Sequence, residues 1–316
     1  MTGKAKQDAQ RRWSVCFVLL LCLAMATPVR AESPRDKKGA IKAFVSILPQ
    51  AYFVERIGGN RVAVSVMVGP GQSPATYEPR PKQMAKLSEA KLYFRIGVPF
   101  ENVWMARISK ANPGMRTIDT RKGIELLPMK AGHHGAGGPD RHHRESVSHH
   151  DHGNSLNDPH IWLSLRLVKV QARNICDALI AEDPAHADYY EENLKAFHRD
   201  LDRLDTEIAG VLKGLKTRKL MIFHPALGYF ARDYGLEQLP IEMEGKEPSA
   251  KSLARIIGQA RKEGIKAVLV QEQFSSQSAE AVARAIRGKV VKVDPLAKEY
   301  LRNMRELAQT LAEVMQ

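Results

Sequence analysis

Short apolar runs and amphipathic stretches alternate twice along this chain, with a long charged helical segment between the two series. That pattern limits the fold more than any other feature. In the first series, Ala43-Phe44-Val45-Ser46-Ile47 reads as a buried strand and 50–57 as a helix closed by Gly58-Gly59. Strands at 62–68 and 92–96 and helices at 81–90 and 100–108 follow. The second series begins at residue 219. It has strands at 219–223, 239–242, 267–271 and 290–293, and helices at 226–234, 250–263, 279–286 and 300–315. Strands separated by helices pair in parallel, with the helices covering the sheet faces.

Residues 165–215 read as helical throughout, divided by Asp183-Pro184. In the second piece Leu194, Phe197, Leu201, Leu204, Ile208 and Leu212 recur every three or four residues, opposite a charged face. From 185 to 215 such a helix would run about 45 Å at 1.5 Å per residue. A helix of that length between two α/β halves is a rigid strut. The expected fold is therefore α/β, with two similar lobes built on mostly parallel sheets and joined by a long rigid helix. The expected divisions are an N-terminal lobe over 40–164, a helical segment over 165–217 and a C-terminal lobe over 218–316.

The first residues predict the compartment. Lys4, Lys6, Arg11 and Arg12 precede an apolar stretch at 17–26, and Val29-Arg30-Ala31 offers a peptidase site. This order predicts a secretory signal peptide over 1–31, cleaved before Glu32, and a periplasmic mature chain. The apolar run is shorter than the roughly 20 residues a membrane span needs. Cys22 follows Leu21, which does not suit a lipoprotein anchor. Cys176 is then the one cysteine of the mature chain, so no intramolecular disulfide forms, and its apolar neighbours predict a buried, inert thiol. The net charge of +13 falls to about +9 without the signal. Those lysines and arginines are spread singly along helices, which argues against a nucleic-acid partner. The mature chain is expected to be a monomer.

Residues 131–157 are rich in His, Gly, Ser, Asp and Arg and poor in large apolar side chains, so a mobile loop is expected there. Seven of the eleven histidines fall in it: His133, His134, His142, His143, His149, His150 and His152. Clustered imidazoles of this kind collect borderline metal ions weakly and many times over. Elsewhere, metal-capable residues stand where ligands bind in open α/β sheets, past the carboxyl ends of strands. His224 follows one predicted strand, Asp294 follows another, and His160 lies where the loop re-enters the fold. Two imidazoles and a carboxylate suit Zn2+.

Four segments then carry a family resemblance: 71–81 (GQSPATYEPRP), 158–162 (DPHIW), 223–226 (FHPA) and 293–296 (VDPL). In this order they resemble the zinc and manganese substrate-binding proteins of ABC transporters, the group whose lobes are joined by a rigid helix. The resemblance implies a metal in the cleft and docking onto a membrane permease. It also implies that His160, His224 and Asp294 are metal ligands. The histidine-rich loop points to Zn2+ as cargo, with Mn2+ as the alternative. One departure matters, because Ala75 stands where the family has a histidine. The fourth position then falls to water, to a loop histidine such as His149, His150 or His152, or to Glu78 or Glu272. Rival readings are a manganese or iron importer component, a periplasmic zinc buffer or chaperone, and a zinc hydrolase. The hydrolase lacks support, since no His-Glu-x-x-His helix and no evident general base are present, and the chain is read as a non-enzyme.

Overall fold

The computed structural model describes residues 39–129, 157–242 and 245–315. The signal-peptide reading and the seven loop histidines lie outside these residues. Residues Gly39–Gln316 form one unit, built on two four-stranded, wholly parallel sheets.

The first sheet has the order β2-β1-β3-β4, from β1 (Ile41–Val45), β2 (Val62–Val66), β3 (Leu92–Arg95) and β4 (Arg116–Asp119). Its crossover helices are α1 (Leu48–Gly58), α2 (Pro81–Leu87) and α3 (Pro99–Ala111). The second sheet repeats this order as β6-β5-β7-β8, from β5 (Lys219–Ile222), β6 (Glu237–Pro240), β7 (Ala267–Gln271) and β8 (Lys289–Val293). It is crossed by α6 (Gly228–Tyr234), α7 (Ala250–Lys262) and α8 (Gln277–Ala285), and α9 (Tyr300–Val314) closes the chain. Central strands bury both faces, which explains why β7 (AVLVQ) has no polar alternation and is buried at all five positions. The edge strand β4 (RTID) escapes a pattern search, because none of its four residues is fully buried.

Between the sheets lie α4 (Leu165–Glu182) and α5 (Ala187–Leu212). At 26 residues α5 is about 39 Å long, shorter than expected from the sequence because Pro184–His186 forms a tighter 3-10 turn before it and the helix stops at Leu212. Its inner stripe of Tyr190, Leu194, Phe197, Leu201, Leu204, Ile208 and Leu212 is buried along the whole length. It faces both halves. Towards the first lobe, Phe197 meets Tyr52 and Phe53 edge-on or tilted at 6.0 and 5.9 Å, and Arg56 pairs with Asp200 at 2.6 Å. Towards the second, Glu207 pairs with Arg305 of α9 at 2.7 Å. One apolar core runs from the first sheet through α1, α4, α5 and α9 onto the second. A separate cluster fills the far face of the second sheet. Emptying the Phe197 site by truncation to alanine would cost about 3–5 kcal/mol, so the strut is packed rather than merely spanning. Cys176 is buried on α4, as expected, and burial pushes its thiol up to about 12. Among the described residues no helix is long and apolar enough to cross a membrane.

The break between α4 and α5 is held by Asp183, whose carboxylate accepts from Arg61 Nε at 2.7 Å, Tyr190 OH at 2.8 Å and His186 Nδ1 at 2.8 Å. Burial alone would raise this carboxyl, but the bonds from His186, Arg61 and Tyr190 outweigh it and hold it at about 2. A depressed carboxyl stabilises the fold above its unfolded value of about 3.9 and ceases to do so as the pH falls through about 2. Asp183→Asn is therefore expected to lower the urea midpoint at pH 6. The gap from the wild type should shrink below about pH 4 and close near pH 2, which unfolding curves across that range will read.

Candidate metal centre

Each parallel strand of the second sheet ends in a loop on the cleft side, and four of these ends carry polar side chains. His224 stands two residues past β5, Glu242 two past β6, Gln271 ends β7, and Asp294 directly follows β8. His160 comes from a different source, the Asp158–Trp162 segment between the lobes. That segment is tied to the second lobe at three points. Tyr229 OH donates to Asp158 O at 2.9 Å, Tyr300 OH donates to Trp162 O at 2.7 Å, and Trp162 Nε1 donates to Pro295 O at 2.8 Å.

His160 and His224 are brought together, with their Nε2 atoms 3.3 Å apart and the rings at 68°. The Nδ1 of each is occupied. His160 Nδ1 lies 2.7 Å from Asp158 Oδ1, and His224 Nδ1 lies 2.7 Å from Glu242 Oε1. A carboxylate only accepts, so both imidazoles must donate from Nδ1, and in the neutral form both Nε2 atoms carry lone pairs. Burial pushes His160 below its usual value and outweighs the pull of Asp158, which keeps its Nε2 lone pair free near neutral pH. Two facing lone pairs at this distance repel unless a cation lies between them. Two Nε2 ligands on a tetrahedral zinc, each at about 2.0–2.1 Å, would stand about 3.3–3.4 Å apart. The pair is spaced as that ion requires.

The ring planes are held as well. Phe274 stacks on His224 at 4.9 Å and 21°, and Trp162 lies 5.1 Å from His160. Gln271 clamps the His224 backbone, accepting from its N at 3.2 Å and donating to its O at 2.6 Å. The cavity at the pair holds about 80 Å³ and is otherwise mostly apolar, with Pro74, Ala75, Val98, Met129, Phe274 and Leu296 among its walls. Ala75 lines the same cavity as the two histidines. The first lobe's loops are tied to each other by Phe100 N donating to Pro74 O at 3.1 Å.

Asp294 is not joined to the pair. Its Oδ1 accepts from Leu296 N at 2.9 Å and from Gln273 Nε2 at 3.3 Å. It lines an adjoining cavity that shares Ala226, Gln271 and Pro295 with the first. Among the described residues, no three His, Cys, Asp or Glu side chains stand together as a ready metal cluster. Glu78 and Glu272 are exposed and do not line the histidine cavity. The sequence reading missed Glu242 and the role of Asp158. Glu242 lies past a strand end, the same criterion that selected His224, and a buried acid at such a place is a signal that could have found it.

A two-lobed α/β protein with a rigid helical strut and a pair of carboxylate-oriented imidazoles in the cleft belongs to the class of metal-ion binding proteins. The model of the periplasmic zinc-uptake complex component A family, ZnuA, matches residues 44–314, and the chain belongs to that family. It is 28% identical over 290 residues to the high-affinity zinc uptake system protein ZnuA of Bacillus subtilis (strain 168), covering 88% of this chain and 87% of that one. It is 29% identical to the zinc-binding protein AdcA of Streptococcus pyogenes, covering 92% of this chain and 58% of AdcA. Among solved structures, a crystal structure of ZnuA superposes with a TM-score of 0.79 at 42% identity, covering 88% of this chain and all of that one. A zinc-bound deletion mutant of ZnuA gives 0.78, also at 42% identity, covering 88% of this chain and 98% of that one.

Glu242 fixes the tautomer and direction of His224, and outer partners of this kind are worth about 10–100-fold in metal affinity. Glu242→Gln is accordingly expected to weaken zinc binding by about one to two orders of magnitude without changing the fold. Chelator competition and circular dichroism together will measure both.

Proposed function

We propose that this protein captures Zn2+ in the cleft and hands it to the membrane permease of an ABC importer, acting as a monomer in the periplasm after loss of residues 1–31. The observation that carries the reading is the pair of Nε2 atoms 3.3 Å apart, each with its Nδ1 committed to a carboxylate. His160 and His224 are the two nitrogen ligands. Asp294 supplies the carboxylate by giving up its bond from Gln273 and turning towards the pair. Asp158 and Glu242 orient the two rings from behind and raise the basicity of their free nitrogens. Both histidines are anchored to the second lobe, so the first lobe serves as a wall that excludes water and shapes the entrance. The cargo leaves as it entered, and the chain is a carrier rather than an enzyme.

Each of His160→Ala, His224→Ala and Asp294→Ala removes one of about four coordinate bonds. We expect each to weaken zinc by at least about tenfold in calorimetry at pH 7. Wild-type affinity in all three variants would remove this site from consideration. Ala75 faces the same cavity, so Ala75→His places a rigidly mounted imidazole opposite the pair. It is expected to raise zinc affinity, because a preorganised donor replaces water at little ordering cost. Competition with a chelator, run in parallel on the variant and the wild type, will read the change. An equal or weaker affinity would mean that the first lobe does not reach the ion.

A further inference from the structure

The second sheet carries another cavity at the end away from the metal cleft. It holds about 670 Å³ and lies where β5, β7 and β8 begin, at Lys219, Ala267 and Lys289. Its walls carry Lys216, Lys219, Lys266, Arg287 and Lys289 against one acid, Glu313. Lys219 is compensated by Glu263 at 2.8 Å and Glu237 at 3.9 Å. The other four cations have no ion pair among the described residues. The first sheet has the same strand order, yet there the cations at the starts of β1 and β4 are paired, Lys42 with Glu89 and Arg116 with Glu182. Like charges gathered around one hollow repel each other until an anion enters it.

The backbone gives a second, independent sign. Helix α8 ends with Gly288 N donating to Ala283 O at 2.8 Å and Arg287 N donating to Arg284 O at 3.2 Å. Such an ending needs a left-handed residue just past the helix, and glycine is usual there. Helices α6 and α7 of the same lobe follow that rule, with Gly235 at φ 65° and Gly264 at φ 66°. Helix α8 has Arg287 instead, at φ 53°, the one non-glycine residue with positive φ among the described residues. The next residue is pinned against β7, because a Cβ on Gly288 would lie 2.5 Å from Lys266 O, and Lys289 N donates to that same oxygen at 2.9 Å. A guanidinium is thus kept on the cavity wall at a position where glycine would relax the chain, and strain of this kind gathers at functional sites.

We propose that this cavity binds a small multivalent oxyanion built of linked phosphate groups, held by Lys216, Lys266, Arg287 and Lys289. A guanidinium fork takes two phosphate oxygens at once, and lysines add compact point charges around it. The volume suits a small molecule rather than a flat surface. The site does not rest on zinc capture, since the lengths of β5, β7 and β8 separate it from His224, Gln271 and Asp294 at their far ends.

The probe is tripolyphosphate, titrated calorimetrically at low and moderate salt into the full mature chain freed of metal over a chelating resin. One equivalent is expected to bind, more weakly as salt rises. Lys266→Gln with Lys289→Gln should weaken it by at least about tenfold, and so should Arg287→Gly. Arg287→Gly relieves the left-handed strain, so its urea midpoint should be no lower than that of the wild type, which separates lost binding from lost folding. Lys251→Gln with Arg255→Gln removes the same charge from the exposed face of α7 outside the cavity and should change affinity by less than about threefold. Absence of one-to-one binding, unchanged affinity in Arg287→Gly, or an equal loss in the α7 variant overturns the proposal. Binding to phosphatidylglycerol vesicles without binding to tripolyphosphate also overturns it, making this face a lipid contact. His224→Ala, which removes a proposed zinc ligand, should leave tripolyphosphate binding intact, and its loss there would put the anion in the metal cleft and overturn this site.

Discussion

The hydrogen bond between His160 Nδ1 and Asp158 Oδ1, matched by the bond between His224 Nδ1 and Glu242 Oε1, is the constraint on which the cleft depends. An imidazole whose Nδ1 is tied to a carboxylate has one tautomer and one direction left to it. When two such rings meet edge to edge with Nε2 atoms 3.3 Å apart, the apposition is unfavourable on its own. It persists because the surroundings over-determine it. Gln271 holds the His224 backbone, Phe274 and Trp162 hold the ring planes, and three hydrogen bonds hold the Asp158–Trp162 segment. The cost of bringing two lone pairs together is met during folding, and an ion entering the cleft does not have to meet it again.

The strut has the same purpose on a larger scale. A metal site divided between two bodies can be only as well defined as the relation between them. The buried stripe of α5 touches α1 of the first lobe and α9 of the second, and its rim carries ion pairs to each. The core is continuous from one sheet to the other through these helices. The first lobe nevertheless contributes little to the donor set. Both histidines are anchored to the second lobe, and the wall facing them presents Ala75, Val98 and Pro99. With alanine at position 75 this part of the wall offers no imidazole, and the pairing of His160 with His224 does not depend on it.

Much of this was legible in the sequence because it is encoded locally. The 3.6-residue period that buries Leu194, Phe197 and Leu201 is set by helix geometry, and the apolar runs of β1, β5 and β7 are set by burial on both sheet faces. Those two periods gave the α/β class, the strut and most element positions. His160 and His224 could be selected because parallel topology places strand ends and re-entering loops at one cleft, a rule that needs no coordinates. Two elements deceived a reading by pattern. Strand β4 has too few buried residues to show a period, and the strut is five residues shorter than the 185–215 read from the sequence, because a tight 3-10 turn at Pro184–His186 precedes it and it stops at Leu212.

What only the tertiary structure decided is which groups meet. Glu242 is 18 residues from His224, and no local period relates the pair. Parallel strand pairing brings the β5 and β6 ends side by side. The same applies to Asp294. The sequence placed it at a strand end, but whether its carboxylate points at the histidines or at Leu296 and Gln273 depends on side-chain rotation within a packed loop. By itself the sequence determined the two lobes, the strut and the kind of donor offered to a metal. The fold determined their tautomer, spacing and orientation, because those depend on contacts between residues far apart in the chain, whose partners are chosen by packing and not by local periodicity.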